Sequence, residues 1–115
     1  MAESIFRAMN RRDFAEVIDF VHEDIILDFP GATRMEGKKK VLLGLRILLR
    51  KYPELQFTIT EIISENDKVC VVWTNKGRDL KGKPYANSGL SLFHTRDGRI
   101  IFISDYFKDT SFVVR

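Results

Sequence analysis

Cysteine and histidine are scarce in this chain, and each scarcity removes a class of protein. The single cysteine, Cys70, cannot close an internal disulfide, which points to a reducing compartment. It sits in the apolar run Lys68-Val-Cys-Val-Val-Trp73, where a free thiol usually serves as a small buried hydrophobe. The two histidines, His22 and His94, lie far apart, and neither falls in a spacing with Cys, Asp or Glu that reads as a metal site. The seven glycines are scattered, without a loop that could cradle a phosphate. No metal and no organic cofactor is expected. Long hydrophobic runs are also missing. The longest, Val41 to Leu49, is interrupted by Gly44 and Arg46 and is too short to span a bilayer. The first residues lack the basic start and apolar centre of a secretion signal. The expectation is a soluble, cytoplasmic protein with no membrane partner. Charge of one sign is not in strong excess: 19 basic against 16 acidic residues leave a net +3. Basic residues gather at Lys38-Lys-Lys40 and around Lys76 to Lys83, but no nucleic-acid-reading motif accompanies them, so no nucleic-acid partner is expected.

What is present fits one domain spanning residues 1–115. Nine Phe, three Tyr and one Trp supply much of a core, and aromatic walls if that core is hollow. Ile5, Phe6 and Met9 suggest a short first helix. Asp13-Phe-Ala-Glu16 reads as a capping box opening a second helix, with Phe14, Val17, Ile18 and Val21 on one face. Ile25 to Phe29 is a strand stopped by Pro30-Gly31. Val41, Leu42, Leu45, Leu48 and Leu49 mark a third helix, ended by Pro53. Strands follow at 56–63, 69–74, 85–95 and 99–107, the last two flanking the hairpin signal Asp97-Gly98. About three helices in the N-terminal half and a strand meander afterwards give an α+β fold with helices on one sheet face.

Both alternating faces of these strands are apolar. A sheet with one wet face would alternate with polar residues, and three short helices cannot cover two faces. The uncovered face therefore predicts a homodimer through Val71, Trp73, Leu90, Leu92 and Phe102.

The order His22-Glu-Asp24, Leu27-Asp-Phe-Pro-Gly31, Gly82-Lys-Pro-Tyr85, Leu92-Phe93, Asp97-Gly-Arg-Ile100 and Ser104-Asp-Tyr-Phe107 resembles the SnoaL-like branch of the nuclear transport factor 2-like superfamily. That resemblance implies a strongly curved, mixed, mostly antiparallel sheet wrapped around the helices to form a cone-shaped pocket. Relatives include polyketide cyclases, ketosteroid isomerases and limonene epoxide hydrolase, which mostly use carboxylates in apolar pockets. The isomerase positions fall at Ile5, Phe29 and Ser91, which cannot play the isomerase roles. The Asp-Tyr-Phe run of the epoxide hydrolase matches Asp105-Tyr106-Phe107. Its arginine and second aspartate fall near Val72 and Thr74, and its water-holding tyrosine and asparagine near Leu27 and Phe29.

Asp105 is thus the candidate catalytic residue. An inward Asp105 lies beside Ile101, Ile103 and Phe107 by parity, and apolar surroundings raise a carboxyl pKa. It is either a general base or a structural aspartate bonded to Tyr85, Asn87 or a backbone amide. Phe29, Thr74, Tyr85, Asn87, Ser91, Phe93, Ile103 and Phe107 are the expected ligand-binding positions, with Ser91 and Asn87 orienting a small apolar carbonyl- or epoxide-type compound. The resemblance implies isomerase-, cyclase- or hydrolase-type acid–base chemistry. The alternative is a non-catalytic dimeric binding or interaction module with a filled cup. A cavity of ~300 Å³ or more with Asp105 exposed to it favours the first reading, whereas a filled cone, or Asp105 buried against structural donors, favours the second.

Overall fold

The computed structural model describes residues 1–109; residues 110–115 of the expected domain lie outside it. Helix α1 (Ala2–Arg11) buries Ala2, Ile5, Phe6, Ala8 and Met9 on one face. It stops at Arg12, which takes a left-handed conformation (φ 55°). The Arg12 amide bonds to the Met9 carbonyl and the Asp13 amide to the Ala8 carbonyl, the bond pattern of a Schellman stop. The Arg12 guanidinium then donates to the carbonyls of Met9, Asn10, Leu55 and Tyr52, at 2.7–3.2 Å. One side chain thereby ties the end of α1 to the segment that follows the second helix.

The expected second helix does not form. The Asp13 carboxylate accepts from the Ala15 amide at 3.0 Å, closing a local turn. Glu16 is drawn away from the capping box into ion pairs with Arg7 (3.0 Å) and Arg11 (3.6 Å). Phe14 and Val17 are buried through turns, a single 3-10 turn covers Ile18–Phe20, and Val21 already belongs to strand β1 (Val21–Asp28). The short strand β2 (Met35–Glu36) leads through Gly37 into α2 (Lys38–Lys51). Val41, Leu42, Leu45 and Leu49 are buried as the spacing predicted, and Arg50 and Lys51 face the negative end of the helix dipole. Among the described residues the fold therefore has two α-helices where about three were expected. Neither is long and apolar enough to cross a membrane.

Strands β3 (Gln56–Glu65), β4 (Lys68–Arg78), β5 (Pro84–Arg96) and β6 (Arg99–Phe107) complete a six-stranded sheet of order β2-β1-β6-β5-β4-β3. The β1–β6 pair is parallel and the others antiparallel, giving the mixed, mostly antiparallel α+β sheet expected. Register decides which residues enter the core. Val69, Val71 and Trp73 stand opposite Phe93, Ser91 and Gly89, and opposed residues of an antiparallel pair share a face. Val71 and Trp73 are accordingly buried on the helix side, 0% and 4% exposed, and cannot belong to an outer dimer face. The outer face instead carries Cys70, Val72, Leu90, Leu92, Phe102 and Tyr106. A register shift in the β5–β6 pair between His94 and Thr95 breaks simple alternation, so Ile100 is buried while Ile101 is only half-buried.

Candidate functional site

The inner face of the sheet and the two helices enclose an apolar cup. Ile5, Phe6 and Met9 come from α1, Leu45 and Leu48 from α2, and Leu27, Phe57, Trp73, Phe93 and Ile103 from the strands. Edge-to-face contacts link Phe6 to Phe57 (5.6 Å) and Phe93 (6.1 Å), and Phe57 to Trp73 (5.4 Å). Two further pairs, Phe29–Phe107 (5.3 Å) and Tyr52–Tyr85 (4.6 Å), join the ends of β1, β6 and α2 and the start of β5. The space inside the cup measures about 50 Å³. That holds a few waters and is smaller than a cavity that admits benzene.

Of the expected ligand-binding positions, Phe29, Tyr85, Asn87, Ser91, Phe93, Ile103 and Phe107 line this cup together with Asp105. Thr74 does not. It is exposed and pairs with Ser88 on the opposite face of β4, because successive strand residues alternate sides. The same parity turns Val72 outward, so the inward β4 neighbours near the matched epoxide-hydrolase positions are Trp73 and Asn75.

Asp105 sits opposite Ser91 in the β5–β6 ladder. The Ser91 hydroxyl donates to Asp105 Oδ1 at 2.5 Å, and the Trp73 indole Nε1 donates to Ser91 Oγ at 3.1 Å. An indole N–H can only donate, so Ser91 must accept from Trp73 and direct its own hydrogen at the carboxylate. The polarity of the relay is fixed. The carboxylate has no other hydrogen bond among the described residues, which leaves Oδ2 as the oxygen free to take a proton. Burial among apolar walls pushes the Asp105 carboxyl up from 3.8 to about 6, against the lowering effect of the Ser91 bond. A base with a pKa just below neutrality is largely ionised at pH 7 and still accepts a proton readily.

Ser91, one of the expected ligand-binding positions, hydrogen-bonds to Asp105, and among the described residues the partner of Asp105 is neither Tyr85 nor Asn87. Asn87 donates to the Tyr85 hydroxyl (3.0 Å) and the Asp109 carbonyl (2.9 Å), and accepts from the Ser88 (2.9 Å) and Asp109 (3.0 Å) amides. Its amide is saturated by the protein itself. Asn75 was missed because the expected strand stopped at Thr74; β4 runs on to Arg78 and keeps Asn75 on the Trp73 face. A polar residue two positions beyond a tryptophan in an apolar alternation was the available signal. Among the described residues no group of three or more His, Cys, Asp or Glu could hold a metal ion.

Comparison with solved structures places the fold. A SnoaL-like polyketide cyclase, so described as putative in its own name, from Jannaschia is 16% identical with a TM-score of 0.81, covering 93% of this chain and 84% of its own. A nuclear transport factor 2-like protein from Anabaena variabilis is 20% identical with a TM-score of 0.83, covering 93% and 83%. The protein TerC, crystallised with polyporic acid, is 18% identical with a TM-score of 0.79, covering 93% and 88%. No curated protein sequence gives a significant match. The model of the SnoaL-like domain family matches residues 2–103, and the chain belongs to that family.

Proposed function

We propose that the cup binds a small apolar carbonyl- or epoxide-type compound and that Asp105 acts there as the proton acceptor in cyclase-, isomerase- or hydrolase-type chemistry. Family membership supports a cyclase- or isomerase-type or ligand-binding role. The observation that carries the finer reading is an aspartate held in an apolar wall by a one-directional Trp73–Ser91 relay, with one oxygen left for a ligand. TerC, of the same fold, was crystallised with polyporic acid, which supports a small-molecule role for the cup. The cavity of about 50 Å³ lies below the size that admits a ring, so ligand entry requires the wall of the cup to open. That small volume is also the specific observation favouring the alternative, a non-catalytic binding or interaction module.

Asp105→Asn separates the two. Assayed against a panel of carbonyl and epoxide compounds, the variant should lose turnover by about 10²-fold or more. Turnover within about tenfold of the wild type would remove Asp105 from the chemistry.

A homodimer through the outer sheet face belongs to the same proposal, as does a reducing, cytoplasmic setting for the free Cys70. Val72, Leu90, Leu92, Phe102 and Tyr106 form that face, and Tyr106 is 57% exposed in the single chain. Among the described residues no helix is paired with that face. A stable pair needs to bury about 1,200 Å² in total. Light scattering at micromolar concentration should give twice the chain mass, and Leu92→Glu should halve it. A wild-type monomer would contradict the pairing.

A further inference from the structure

We propose that Asn75 is a second polar anchor of the cup and that it selects a hydroxyl-bearing ligand (a phenol, enol or compact alcohol) over its deoxygenated analogue. Asn75 is only 8% exposed, lines the cup, and its Oδ1 is buried without a hydrogen bond among the described residues. Such an orphan is unfavourable, because the group has given up water and gained nothing in return. The neighbouring Asn87, its direct cross-strand partner, shows what a structural asparagine does here: it fills all four of its hydrogen-bonding positions from the protein. Asn75 fills none.

The chemistry of an amide narrows the ligand. One end accepts and the other donates, and the side chain can turn either end to the cup. A hydroxyl satisfies whichever end it meets. A carbonyl satisfies only the nitrogen, and a charged ammonium would be poorly solvated among Leu55, Phe57 and Trp73. Asn75 stands opposite Asn87, whereas Asp105 stands opposite Ser91 on the other side of β5. The two are therefore offset by four β5 residues, roughly 13 Å along the strand and about 10 Å across it. The hydroxyl anchor thus lies toward the Tyr52–Tyr85 end of the cup, apart from the carboxylate.

The proposal rests on the reading of the cup as a ligand site, and not on Asp105 acting as a base. Its test is a pair of NMR titrations with 4-methylphenol and 1,4-dimethylbenzene, which differ by a hydroxyl in place of a methyl. Water favours the phenol, so binding it more tightly demands a partner inside the protein. The wild type should prefer 4-methylphenol by about tenfold or more. Asn75→Leu should bring the ratio near or below one while its thermal midpoint stays level or rises. Asn75→Ala serves the same comparison if the leucine is poorly accommodated. A preference lost in Asp105→Asn but kept in Asn75→Leu would place the hydroxyl at the carboxylate and overturn the assignment, so loss of turnover and loss of hydroxyl selection report separately on the two claims. A wild type that prefers 1,4-dimethylbenzene, or binds neither compound, overturns the assignment, as does an Asn75→Leu variant that keeps the preference.

Discussion

A Gly89→Ala variant is expected to lose about 3 kcal/mol or more of stability, or to fail to fold. Gly89 lies on the inner face of β5, opposite Trp73 on one side and Phe107 on the other. A Cβ built there would stand 2.1 Å from the Tyr106 carbonyl oxygen and 2.7 Å from Phe107 Cα. These are backbone atoms of the neighbouring strand, so no rotamer change relieves the clash; β5 and β6 would have to part. The bare position also lets the Trp73 and Phe107 rings approach to 6.4 Å across β5. Separating the strands would pull Asp105 from Ser91, so the variant should lose the site along with its stability. Urea unfolding monitored by Trp73 fluorescence measures the effect. A change below about 1 kcal/mol would mean that the strands are not so closely apposed.

Asp105→Asn should change the pH dependence of stability by about 2–3 kcal/mol between pH 4 and pH 7. The Asp105 carboxyl stands at about 6 in the folded chain against 3.8 in the ordinary state. Below 3.8 both folded and unfolded chains carry the proton, and the group costs nothing. Between 3.8 and 6 the unfolded chain releases it while the folded chain retains it, so stability falls as pH rises. Above 6 both are ionised and the full cost of a charge in an apolar wall is present. The variant has no such group. Its stability relative to the wild type should therefore climb through this window and level off above it. Other carboxylates titrate equally in both proteins and cancel in the difference. An aspartate placed for structure would behave otherwise: removing it would destabilise the chain, most of all at neutral pH. Retention of a group that costs stability is what a functional role predicts.

Much of the fold was legible because its signals are local. The i, i+4, i+7 pattern from Val41 to Leu49 gave α2, and Asp97-Gly98 gave the β5–β6 hairpin. The expected helix at Asp13 failed for a reason spacing does not carry. Glu16 had two arginines of α1 within reach, and Arg12 ended that helix in a conformation usually left to glycine. The site was legible in part for the same reason. Parity along one strand places Asp105, Ile101, Ile103 and Phe107 on a single face, which the register shift breaks at Ile101, and which face of β4 they meet depends on register, which only pairing reveals. Sequence parity alone therefore turns Val71 and Trp73 outward and hides the Trp73–Ser91–Asp105 relay. The Asn75 position was lost with the last residues of β4, since strand ends are the least legible part of a sequence.

The proposed chemistry depends on Asp105 being an ionisable group held in an apolar cup with one oxygen open to a ligand. Its most direct test is the pH titration of the Asp105 side-chain carboxyl carbon by ¹³C NMR. A midpoint of about 6 is predicted. A midpoint at the ordinary aspartate value would show a solvated or structurally neutralised carboxylate, and the reading of the cup as an acid–base site would fall with it.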